Sequence, residues 1–136
     1  MKKSDNLPMG SRGIKAEKFF EEFCKSNKLD FQRVSHPFDY LVNGKLVEVK
    51  SAKLFTNQYK DGRKVPGRYQ CWGKKQLNRM KKVNPWVCLI ITNENGCLIQ
   101  GFAKARSFPN TLRVSPILME KTGVRSVKQF LRYVNG

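Results

Sequence analysis

FDYLVNGKLVEVK, residues Phe38–Lys50, is the stretch that decides the fold. Asn43-Gly44 sits between two runs of alternating apolar residues. Both turn residues tolerate positive φ, so the segment reads as a two-residue β-hairpin. That turn fixes the register. Val42 is expected opposite Lys45, Leu41 opposite Leu46, Tyr40 opposite Val47, and Asp39 opposite Glu48. Side chains alternate with period two, so Glu48 and Lys50 share a face, with Asp39 across from Glu48. Like charges placed opposite each other destabilise a strand pair. A divalent cation between the two carboxylates turns that repulsion into attraction.

The chain has 136 residues, the size of one ordinary domain. Its 27 Lys+Arg against 10 Asp+Glu give a formal net charge of +17, spread along the whole length. Such a field attracts polyanions, and nucleic acid is the leading expectation. No segment combines a purely apolar helix face with a basic back, none reaches transmembrane length, and no signal peptide opens the chain. No membrane partner is therefore expected, and a cytoplasmic, nucleoid-associated location is. Cys24, Cys71, Cys88 and Cys97 are far apart and form no CxxC pair. With a single histidine, His36, they make no usual zinc site. Reduced cysteines, with Cys24 and Cys88 in the core, are expected.

Residues 1–13 read as a flexible basic segment and 14–136 as a single domain. GIKAEKFFEEFCKSNK, from Gly13, has helical periodicity, with Ala16, Phe19, Phe20, Phe23 and Cys24 on one stripe. DFQRV (30–34) reads as a first strand before the hairpin. LFTNQYKDGRKVPG (54–67) reads as a polar basic loop and RYQCW (68–72) as a short strand. GKKQLNRMKKV (73–83) is a basic helix with Leu77 and Met80 inward. WVCLIIT (86–92) is a strand buried on both faces, and CLIQGF (97–102) its partner. SVKQFLRYV (126–134) closes the chain as a helix capped by Ser126, with Val127, Phe130, Leu131 and Val134 on one face. The fold class is α/β, a mixed central sheet flanked by helices.

The candidate site is Asp39, Glu48 and Lys50, joined by Glu17 from the edge of the first helix's apolar stripe. Glu21 and Glu22 point further out, as solvated charges. Two carboxylates suit Mg²⁺ by hard oxygen ligation, with Mn²⁺ able to substitute. A bound cation activates water and polarises a P–O bond, and a nearby lysine offsets developing charge. The rival reading is a solvated hairpin face with Asp39 held by an arginine.

An aspartate, then Glu-x-Lys on the next strand, after a helix carrying a glutamate, resembles the PD-(D/E)XK nuclease superfamily. Residues 10–53, GSRGIKAEKFFEEFCKSNKLDFQRVSHPFDYLVNGKLVEVKSAK, resemble archaeal-type Holliday junction resolvases most. The family's motif glutamate falls on Glu17, its metal aspartate on Asp39, its second acid on Glu48 and its lysine on Lys50. The resemblance implies a restriction-endonuclease-like core, the Val49 carbonyl as a further metal ligand, and a loop at Ser35 and His36 that meets the scissile strand. It also implies that Lys50 orients a water that displaces a 3′-oxygen and leaves a 5′-phosphate. Pro37 stands two places before Asp39 rather than one, and the spacing to Glu48 is short for the family. Beyond residue 53 the likeness is architectural. GRYQCW, the basic helix and WVCLIIT are also similar to small intron-encoded homing endonucleases of the same superfamily.

In some members of that superfamily a polar residue where Gln70 stands positions the lysine or the water. His36 is a candidate general base, with phosphate contact or plain exposure as the alternative. Trp72 and Trp86 are expected in the core rather than stacked on bases. Phosphate contact is assigned to Arg12, Lys15, Lys53, Lys60, Arg63, Lys64, Arg68, Lys74, Lys75 and Arg79, with Lys81 and Lys82 on the same helix, reading backbone and shape more than base edges. The expectation is a Mg²⁺-dependent endodeoxyribonuclease acting on branched or four-way-junction DNA as a two-fold homodimer. The alternatives are a sequence-specific homing or restriction-type nuclease, and a non-catalytic basic nucleic-acid-binding protein.

Overall fold

A computed structural model describes residues 8–34, 39–57, 64–93 and 95–136, with the backbone alone described for 8–12, 56, 57, 64 and 65. Helix α1 (Pro8–Ser26) leads into strand β1 (Phe31–Arg33) and the hairpin β2 (Tyr40–Val42) and β3 (Lys45–Ala52). A small antiparallel pair follows, β4 (Phe55–Asn57) with β5 (Lys64–Pro66), then β6 (Tyr69–Gln70) and α2 (Lys74–Val83). Strands β7 (Trp86–Asn93) and β8 (Gly96–Lys104) complete the main sheet. A 3₁₀ turn (Ala105–Ser107), β9 (Arg113–Val114), α3 (Pro116–Met119) and α4 (Val127–Asn135) end the chain.

The main sheet has order β1-β2-β3-β7-β8. It is mixed: β3 pairs with β7 in parallel, and every other neighbour is antiparallel. The hairpin takes the register that its two-residue turn dictates, with Val42 opposite Lys45 and Tyr40 opposite Val47, but it stops there. The expected Asp39–Glu48 pair is not part of the ladder, because Asp39 precedes β2 and its carboxylate takes the Val49 N–H. Asn43 and Gly44 both hold positive φ, 48° and 82°, as that turn requires. Strand β7 is buried from Trp86 to Thr92, because both faces of the sheet are covered.

Two apolar clusters lie on opposite faces. On one, Ala16, Phe20 and Cys24 of α1 and Phe130 and Val134 of α4 pack on Tyr40, Val42, Val47 and Cys88. On the other, Trp72, Met80, Phe108 and Met119 cover Ala52, Val87 and Leu89. The apolar stripes of α1 and α4 and the inward Leu77 and Met80 of α2 therefore bury where their spacing predicts. Ser126 caps α4 and Gln129 closes the capping box.

Three regions depart from the sequence reading. Helix α1 starts at Pro8 rather than after Gly13, since proline is well placed in a first turn. The 54–67 segment is not all loop: β4 and β5 pair within it. RYQCW is strand only at Tyr69–Gln70, and it pairs with β9 outside the main sheet. No helix among the described residues is long and apolar enough to cross a membrane.

Candidate active site

Alternation along β3 sends Val47 and Val49 to the α1 face and Glu48 and Lys50 to the other. There the two charged residues lie under the rim of the second cluster, with side chains only 12% and 10% exposed. Lys50 Nζ is 3.6 Å from Glu48 Oε1. The Trp72 indole N–H donates to both Glu48 oxygens, Oε2 at 3.1 Å and Oε1 at 3.3 Å. Lys50 Nζ lies 4.8 Å from the centre of the Trp72 ring. Trp72 is itself buried, its ring edge-on to Phe108 at 5.2 Å.

Asp39 stands one residue before β2, past the last hairpin pair. Its backbone carbonyl accepts from Val34 N–H at 3.0 Å. Its carboxylate Oδ2 accepts from the backbone N–H of Val49 at 2.7 Å. The acid thus takes the place of a ladder bond where the hairpin stops. A strand residue's N–H and C=O leave toward the same neighbour, so the Val49 carbonyl is directed to the edge that Asp39 occupies. Burial pushes the Asp39 carboxyl above its ordinary pKa. The Val49 N–H opposes this, the Glu48 charge adds to it, and Lys50 and Arg33 draw it back.

Glu17 comes from the opposite face. Its carboxyl is also raised, by burial first and then by the charge of Asp39, while Arg33 lowers it. Arg33 on β1 is the residue that sequence reasoning missed here. It bridges α1 to the sheet edge through Glu17 at 3.1 Å and Glu21 at 2.8 Å. Glu21 is not the solvated charge its position on the helix suggested: it also accepts from the Tyr40 hydroxyl at 2.6 Å, which holds its pKa below the ordinary value. Glu22 is the solvated one, 72% exposed beside Lys25.

The arginine of the rival reading therefore exists, yet it pairs with the helix acids, and a backbone amide holds Asp39. Asp39 Oδ1 has no hydrogen-bond partner among the described residues. No three His, Cys, Asp or Glu side chains converge as metal ligands among them either. The sheet explains this, since Glu17 is on the α1 side and Glu48 on the other. The donors that would hold a hard cation here are the carboxylates of Asp39 and Glu48, with the Val49 carbonyl as the resemblance implies. Two carboxylates with hard oxygen donors, beside a backbone carbonyl, are the donor type such an ion takes.

Gln70 makes no side-chain hydrogen bond to this group among the described residues. It is exposed on β6, opposite Arg113, and Trp72 is the residue from that segment that touches Glu48. Nothing periodic in RYQCW distinguishes the two, because the segment leaves strand geometry after Gln70. Lys53, Arg68, Lys74, Lys75 and Arg79 are exposed, as phosphate contact needs. Lys15 is exposed too, although its Nζ donates to the Asn93 carbonyl at 3.1 Å. Lys81 serves the fold instead, donating to the carbonyl of Phe108 at 2.8 Å. Ser35, His36, Lys60 and Arg63, and the side chains of Arg12 and Lys64, lie outside the described residues.

Comparison with known proteins finds no matching family model, no matching curated protein and no matching solved structure.

Proposed function

We propose that this chain is a metal-dependent endodeoxyribonuclease with a restriction-endonuclease-like core, specific for DNA structure in the manner of a junction resolvase. The observation that carries the proposal is the cluster at β3. Asp39, Glu48 and Lys50 gather around the middle of β3, on a chain with ten acidic residues and a net charge of +17. Structural ion pairs seldom set two carboxylates beside a single lysine in a half-buried place, because the extra charge is costly to desolvate.

Asp39 and Glu48 would hold Mg²⁺ or Mn²⁺ with the Val49 carbonyl. When bound, such an ion lowers the pKa of a coordinated water and polarises the P–O bond. The residues of the chain do the rest. Lys50, fixed between Glu48 and the Trp72 ring, donates to the attacking water and offsets charge that builds on the phosphate oxygens. The P–O3′ bond breaks, leaving a 5′-phosphate. Glu17, held by Arg33 on the far face, would act on the ion's water shell rather than as a direct ligand. Exposed Lys53, Arg68, Lys74 and Lys75 flank the cluster and supply phosphate contacts.

The test is incubation of labelled four-way junction, linear duplex and single strand, each with Mg²⁺ and with EDTA. Metal-dependent cutting of the junction is expected. Binding to all three without cutting in any metal would favour a non-catalytic basic nucleic-acid-binding protein.

A further inference from the structure

We infer that Trp72 is the positioning residue of this site, holding Glu48 by its indole N–H and Lys50 by its ring; the inference rests on the nuclease reading. Glu48 and Lys50 are next-but-one neighbours on a strand. Alternation alone puts them on one face but does not fix where their heads go. Each has several rotatable bonds, and a glutamate drawn wholly onto its neighbouring lysine would be lost to a metal. The indole resolves the competition. At 3.1 and 3.3 Å its N–H is shared between both carboxylate oxygens, which holds Glu48 against the Trp72 side. The Lys50 ammonium meanwhile lies 4.8 Å from the ring centre, attracted by the electron-rich face, and 3.6 Å from Glu48. One side chain thus sets the directions of both charged groups.

The scaffold behind Trp72 suits that role. It is 6% exposed, packed edge-on against Phe108, and lies between β6 and α2. A buried tryptophan usually finds an acceptor for its N–H, and a carboxylate gives it a charge-assisted one. Partners that orient metal ligands in this way typically govern metal affinity or activity by about 10- to 100-fold.

Trp72→Phe keeps a ring for Lys50 and removes the N–H. Phe108→Leu is its control, since it loosens the packing behind the indole and leaves the N–H in place. Cleavage of the junction is measured against Mn²⁺ concentration, DNA binding in EDTA, and thermal melts with and without Mn²⁺. Trp72→Phe should raise the Mn²⁺ needed for half-maximal cleavage by about 10- to 100-fold and shrink the Mn²⁺-induced rise in Tm, with DNA binding unchanged. Phe108→Leu should lower Tm and leave the metal dependence as in the parent. If both variants shift metal dependence equally, Trp72 matters only as core and the inference fails. If Glu48→Gln and Lys50→Ala abolish cleavage while Trp72→Phe matches the parent in every readout, the inference fails and the site stands. If Glu48→Gln and Lys50→Ala cleave normally, or the parent neither cleaves nor is stabilised by Mn²⁺, the site itself is wrong and the inference falls with it.

Discussion

Asp39 ties the backbone to the proposed site. Its Oδ2 satisfies an amide that a longer hairpin would have paired, while burial and Glu48 make its charged form costly. Its raised pKa means the folded chain binds this proton more tightly than the unfolded one. Stability from this group is greatest in acid and falls as pH rises from about 3.8 through the raised folded value. Asp39→Asn keeps an oxygen for the Val49 N–H and removes the charge. In EDTA the variant should therefore match the parent in acid and exceed it near neutral pH, by roughly 0.2–1 kcal/mol. If Mn²⁺ stabilises the parent, as the proposed site requires, the variant should lose that stabilisation, since a ligand of the folded state stabilises in proportion to its affinity. Thermal melts of both proteins across pH, with EDTA and with Mn²⁺, check both points; a variant less stable at every pH would show an acid placed for structure. The cysteines obey the same physics without the partners. Burial pushes the Cys24 thiol up to about 12 and that of Cys88 well above its ordinary value, and Cys71 is raised as well. Thiolate is the reactive form, so a thiol reagent at pH 8 should modify half-exposed Cys97 first in the native protein, and the other three only on unfolding. Fast labelling of Cys24 or Cys88 would contradict the packing of α1 on β7.

Elements were legible where one local signal decided them. Asn43-Gly44 set a register that the structure keeps from Val42–Lys45 to Tyr40–Val47, though not to Asp39–Glu48; the continuous apolar run Trp86–Thr92 marked the central strand, and Ser126 marked the start of α4. The face shared by Glu48 and Lys50 followed from the same period. The pairs β4–β5 and β6–β9 did not follow, because strands of two or three residues leave no periodic trace and pair over distances that only the finished fold sets. For that reason the sequence puts Trp72 in the core but does not reveal its bond to Glu48. Arg33 was similarly hidden, since its partners on α1 are 12 and 16 residues away in sequence. Gly67 shows what such tertiary approaches demand. Its N–H donates to the Leu54 carbonyl at 3.0 Å, and a Cβ there would run into the carbonyl oxygen of Lys53. Gly67→Ala should then push the β5–β6 connection off the end of β3, costing about 1–3 kcal/mol as overpacking does. A urea midpoint unchanged from the parent would mean that this approach is slack.

At the scale of the whole molecule, the proposed function separates affinity from chemistry. The charge of +17 acts at long range and is carried by exposed lysines and arginines on many elements. The cluster at β3 is local and largely buried, and its two carboxylates and one lysine leave a single formal negative charge, small beside +17. Binding to DNA should therefore weaken steeply with salt, the logarithm of the association constant falling by about 0.9 per phosphate neutralised for each unit in the logarithm of salt. Glu48→Gln and Lys50→Ala should leave the affinity and that slope almost unchanged, within about one phosphate's worth, while abolishing cleavage. A reversal of Lys74 and Lys75 to glutamate should do the opposite, lowering affinity and slope while the cut, once DNA is saturating, proceeds at the parent's rate. Filter binding across a salt series, with single-turnover cleavage on a four-way junction and on duplexes of unrelated sequence, reads all of these together. Junctions should outcompete every duplex if shape is what the basic surface reads. Cutting confined to one duplex sequence would instead give the basic surface to a homing or restriction-type nuclease, with the chemistry at Asp39, Glu48 and Lys50 unchanged.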